Sequence, residues 1–126
     1  MYKAQDRVNG IEQLADRLLD FAVKIIELVR FLPQTYVGKY VGSQLMRSGT
    51  SSGANYEEAC GAESRADFIH KLGIVLKELK ESRFWLNLIV RTRLVKSEKL
   101  EALQRESHEL CAIIAKSIFT AKENKK

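Results

Sequence analysis

Proline and glycine are scarce in this chain. One proline and seven glycines in 126 residues leave little material for the turns of an all-β fold. No stretch approaches the roughly 18–20 consecutive apolar residues that span a bilayer. Residues 1–20 carry Asp6, Glu12, Asp16 and Asp20 and lack the apolar centre of a signal peptide, so the expected location is cytoplasmic. Cysteine is limited to Cys60 and Cys111, which stand in no ligand-spaced motif and read as small buried hydrophobes. The two histidines, His70 and His108, lie far apart in the pattern. A di-metal bundle site wants Glu-x-x-His on two helices, and here Glu78 is followed at that spacing by Glu81. No metal or other cofactor is expected.

What the chain has is helical periodicity. Hydrophobic residues make up 45% and charged residues 29%, the balance of a globular chain, and the length suits one domain over residues 1–126. Ile11, Leu14, Leu18, Phe21, Ile25, Leu28 and Leu32 step by three and four, which predicts a bundle helix over about 9–32, ended by Pro33. Leu19, Val23 and Ile26 form a second row on that helix. They widen its apolar surface beyond what one bundle core covers, which predicts a subunit interface there. Helix two is expected over about 35–61, with Gly61 just past its end. Ser64, with Asp67 three residues on, caps helix three over about 65–94, whose stripe is Phe68, Leu72, Val75, Leu79, Ser82, Leu86 and Ile89. Ser97 caps helix four over about 98–122, with Glu98 and Glu101 suiting the helix dipole. Its inner face is Leu100, Leu103, Ser107, Leu110, Ile114 and Ile118, and Lys122, Lys125 and Lys126 are expected to fray into solvent. Four long helices with short connections predict an all-α, antiparallel up-down-up-down four-helix bundle.

Helix two carries the chain's least typical stretch, from Arg47 to Glu58. Its inner stripe continues as Ser48, Ser52, Asn55 and Ala59, with Gly38, Gly42, Gly49 and Tyr56 on a neighbouring row. Glycine costs up to about 1 kcal/mol in helix propensity, so this helix needs close packing and is expected to be the most enclosed. On helix three, Glu78 and Glu81 lie between Ile74 and Trp85 on one face, and carboxylates placed so need partners. Counting back and forward from the Gly61 turn brings Arg47 level with Glu78. The expected polar network joins Arg47 to Glu78 or Glu81, and Glu58 to Arg65, with Asn55 nearby. The serines lack a base and an oxyanion site at any recognisable spacing, and the glycines do not form a phosphate loop. The expected function is therefore non-enzymatic.

Two blocks resemble a known family. Arg47-Ser48-Gly49-Thr50-Ser51, Gly53-Ala54-Asn55-Tyr56 and Glu58-Ala59 form the first, and Glu63 to Leu72, Lys77-Glu78, Glu81 and Phe84-Trp85-Leu86 the second. Together they are similar to the 23S rRNA intervening-sequence four-helix proteins and cover residues 47–89, with departures at Ser52, where an apolar residue is usual, and Glu57, where a basic one is common. The resemblance implies a ring-like homopentamer of bundles and a bacterial protein of a family whose genes are often found inside insertions in large-subunit rRNA genes. A fold relative, the accessory variability determinant of diversity-generating retroelements, binds nucleic acid and a reverse transcriptase.

The charge points to a surface. Net charge is +5, and all of the excess falls in residues 63–126. In the expected topology, Arg30, Lys39, Arg91, Arg93, Lys96 and Lys99 gather at the end that holds the first and third turns, against Glu27, Glu98 and Glu101. Tyr36 and Tyr40 lie nearby and suit stacking on bases. Repeated around a ring, such an end attracts RNA or DNA backbones without reading sequence. The alternative reading is an oligomeric protein-interaction scaffold that binds no nucleic acid.

Overall fold

A computed structural model describes residues 4–124, and every regular element among them is helical: α1 (Ala4–Val29), α2 (Tyr36–Cys60), α3 (Arg65–Thr92) and α4 (Glu98–Glu123). Lys125 and Lys126, expected to fray into solvent, lie outside the described residues. Helices adjacent in sequence are adjacent in space and α4 returns to α1, so the four stand at the corners of a square. Short connections make neighbours antiparallel, giving an all-α four-helix bundle. The α2–α3 seam is the most extensive and the α1–α4 seam the thinnest.

Each boundary has a local cause. α1 begins at Ala4, ahead of the expected residue 9, and ends at Val29, short of the expected 32. Its last turn tightens before Pro33: Phe31 N–H reaches the Leu28 carbonyl at 2.9 Å and Leu32 N–H the Val29 carbonyl at 3.1 Å. Thr35 caps α2, its hydroxyl accepting from Gly38 N–H at 3.1 Å. Ser64 and Ser97 cap α3 and α4 by accepting from Asp67 N–H and Lys99 N–H. Gly61 stands just past the end of α2 as expected, at φ −94°, a conformation open to any residue. The left-handed turn lies at Arg93, with φ 53° and ψ 36°. Its N–H reaches the Val90 carbonyl and Leu94 N–H the Ile89 carbonyl, both at 3.2 Å, the paired bonds of a Schellman ending. α3 accordingly stops at Thr92, before the expected residue 94.

The core follows the expected stripes, with Leu18, Phe21, Ile25, Leu45, Leu72, Val75, Leu79, Leu86, Ile89, Leu110 and Ile114 all buried. Ser48, Ser52, Ser82 and Ser107 are wholly buried among them. The Ser82 hydroxyl sits 2.9 Å from Ser48 Oγ and 3.0 Å from the Glu78 carbonyl, joining α3 to α2, while Ser48 donates to the Leu45 carbonyl at 3.2 Å. Small side chains at core positions draw the helices together, and such bonds offset the cost of burying their hydroxyls. α2 is the most enclosed of the last three helices, with nine buried residues against six in α3 and six in α4.

The α2 glycines account for the close approach of α1. A Cβ on Gly49 would stand 3.0 Å from the Ile25 side chain. On Gly38 it would stand 1.9 Å from the Pro33 carbonyl oxygen, which only a backbone shift could relieve. The glycine row thus faces α1 and the turn before α2, and the serines bridge to α3. Cys111 is buried as expected, whereas Cys60 is exposed because it ends α2 beside the turn. Tyr56 is buried, and burial, followed by neighbouring Cys60, lifts its phenol above the ordinary value.

Candidate nucleic-acid interface

Two groups of basic residues stand out. The first is committed to carboxylates along the sides of the bundle. Arg47 Nη1 donates to Glu78 Oε1 at 3.2 Å and Nη2 to Glu81 Oε2, so one guanidinium on α2 holds both acids of α3. Trp85 Nε1 also donates to Glu81 at 3.2 Å. The Arg47 bond, aided by Trp85, holds the Glu81 carboxyl below its usual range. Asn55 donates to the Ser51 carbonyl at 2.9 Å, a bond within its own helix.

Glu58 accepts from Lys71 Nζ at 2.9 Å, in place of the expected Arg65. The reason is helix phase. Lys71, Glu78 and Trp85 step by seven and share the side of α3 facing α2, while Arg65 lies roughly a third of a turn away from Lys71. Arg65 is exposed on the first turn of α3.

One committed arginine escaped the sequence reading. Arg17 Nε and Nη2 donate to the two oxygens of Glu106, and Nη2 also reaches Glu109, all at 2.7 Å. These bonds, Glu106 first, push its pKa further above an already high value. They latch the thin α1–α4 seam.

The second group stands at one end of the bundle. Arg30 follows α1, Lys39 lies in the first turn of α2, Arg91 and Arg93 end α3, and Lys96 and Lys99 flank the start of α4. All six are exposed, and none joins an ion pair among the described residues. Glu27, Glu98 and Glu101 at this end are exposed as well. Aromatic surface accompanies the cations. Tyr36 is 84% exposed and Phe31 73%. Tyr40 is half exposed, with its ring edge-on to Trp85 at 5.9 Å. Phe31 was missed in the sequence; its position one step off the inner pair Leu28 and Leu32 was the available signal.

Beyond the Arg17 latch, toward this end, α1 and α4 part to leave a groove of about 720 Å³. Leu28, Ala102 and Leu103 lie along it, Phe31 and Val95 flank it, and Lys24, Lys96 and Lys99 supply its cations. On α1, Leu19 and Val23 are exposed and Ile26 is half-buried, a row at helical spacing that the bundle leaves uncovered.

Among the described residues no cluster of three or more histidine, cysteine or acidic side chains is arranged to hold a metal ion, and no helix is long and apolar enough to cross a membrane.

Comparison with known proteins is informative on family and silent on activity. The model of the 23S rRNA-intervening sequence protein family matches residues 13–116. No curated protein matches the chain. A crystal structure of a protein of unknown function from the S23 ribosomal protein family of Bacteroides thetaiotaomicron VPI-5482 is 41% identical, with a TM-score of 0.78, over 86% of this chain and 96% of that one.

Proposed function

The chain belongs to the 23S rRNA-intervening sequence protein family, and we propose that it is a non-catalytic, cytoplasmic homo-oligomer that binds RNA or DNA through its basic end without reading sequence. The observation that carries this reading is the set of six exposed cations, Arg30, Lys39, Arg91, Arg93, Lys96 and Lys99, left without carboxylate partners beside exposed Phe31 and Tyr36. On the bundle sides Arg17, Arg47 and Lys71 are matched with acids; none of these six is, among the described residues. Unmatched guanidinium and ammonium groups attract phosphates, release counterions on contact and carry no base preference. Aromatic faces beside them add stacking that tolerates any base.

Assembly strengthens the same reading. The row Leu19, Val23 and Ile26 supports a subunit contact, and a closed ring, five-membered as the family resemblance implies, would bring the basic ends onto one face. Its summed potential exceeds that of a single bundle. Leu19→Asp with Val23→Asp is expected to release monomers of unchanged helical content, read as mass by light scattering.

The direct test is affinity for RNA and DNA over a salt series. Binding is expected at low salt and should weaken steadily as salt rises, with a similar dependence for unrelated sequences. A protein that is oligomeric yet binds neither nucleic acid at low salt would instead be the interaction scaffold, and the phosphate-binding reading would fail.

A further inference from the structure

We infer that the groove between α1 and α4 receives an unpaired base, so that the protein prefers single-stranded nucleic acid to duplex. The inference rests on the phosphate-binding reading above and adds a selectivity to it. The groove has an apolar floor, where Leu28 and Leu103 come from the core and Ala102 adds only a methyl group. Its volume of about 720 Å³ is that of a small-ligand pocket rather than of a packing defect. Phe31 stands at its edge with most of its ring in solvent, an arrangement that burial alone does not explain and that offers a face for stacking.

The charge around the groove selects the occupant. Lys24 contributes from α1, and Lys96 and Lys99 from the start of α4. Of the two carboxylates lining the groove, Glu106 is held by Arg17, which leaves Glu27 facing three lysines. An apolar floor between cations fits a flat, weakly polar ring whose two flanking phosphates stay outside. Lys96 lies three residues beyond Arg93 and Phe31 adjoins Arg30, so a strand whose base enters the groove continues directly onto the basic end. A duplex can meet the cations with its backbone, but its bases are stacked and paired and cannot enter.

The test compares a short oligouridylate with a blunt-ended duplex RNA of the same length, both fluorescently labelled, on the full chain. Wild type is expected to bind the single strand more tightly. Phe31→Ala removes the stacking face, and Ala102→Trp fills the groove from an exposed helical position. Each should weaken single-strand binding by about tenfold, and Ala102→Trp should leave duplex binding and melting temperature unchanged. Equal affinity for the two probes, with both variants behaving as wild type, would overturn the groove assignment while leaving the basic end as a phosphate site. Loss of binding to both probes alike in wild type would remove the phosphate-binding reading and this inference with it.

Discussion

Arg47 and Arg17 on the bundle sides and Arg91 and Arg93 at its end are the same residue in two physical situations. The side arginines each hold two carboxylates of a neighbouring helix, so their charge is spent on register. The end arginines hold none among the described residues and stand in solvent. Net charge alone does not separate the groups; a carboxylate facing the side chain does. A carboxylate on the facing helix is available halfway along a seam, whereas at the end a side chain leaves the bundle. Arg93 extends the contrast to the backbone, since it occupies a left-handed position where glycine is the usual choice.

The largest expected effect removes the free group. Arg91→Glu, Arg93→Glu and Lys96→Glu together should weaken nucleic-acid binding by on the order of a hundredfold or more, measured at fixed low salt. Mass and helical content should stay those of wild type.

The structural counterpart of that change is Gly38→Ala. Its added methyl meets the Pro33 carbonyl oxygen, and the strain should lower stability by about 2–3 kcal/mol in a denaturant titration. Arg17→Ala should cost about 1 kcal/mol or less, since the latch is partly exposed, and should leave binding intact. Arg93→Gly moves the two properties in opposite directions. It relieves the left-handed strain, raising stability by about 0.5–1 kcal/mol, yet removes a phosphate contact and weakens binding.

The smallest effect is a pH dependence. Glu81 has its folded-state pKa depressed, first by Arg47, so its contribution to stability is present above the ordinary carboxylate pKa and is lost as pH falls through the lower folded value. Melting temperatures of wild type and Arg47→Ala should therefore converge as pH drops below the usual carboxylate range.

The sequence told some of this and missed some, for identifiable reasons. Apolar steps of three and four set the inner faces of all four helices, because burial along a helix is periodic. Arg47 could be matched to Glu78 and Glu81 because one short turn joins their helices, so height can be counted from it. The same count misassigned Glu58, since height without helix phase does not separate Arg65 from Lys71. Arg17 and its partners on α4 are 89 and 92 residues apart, and their meeting depends on how the square closes. The groove depends on that closure too, and on the thin α1–α4 seam. The end of α3 was displaced because no glycine marks it. Serine at Ser48 and Ser82 was visible as an interruption of the stripes, but its bond across the α2–α3 seam was not.

The most direct test of the two arginine groups is the slope of binding affinity against salt concentration, on logarithmic axes, for wild type, Arg91→Ala and Arg17→Ala. With one phosphate contact removed, Arg91→Ala should reduce the magnitude of the slope by about 0.7–0.9, while Arg17→Ala should match wild type. Equal changes in the two variants, or none in Arg91→Ala, would contradict the division between side and end on which the account stands.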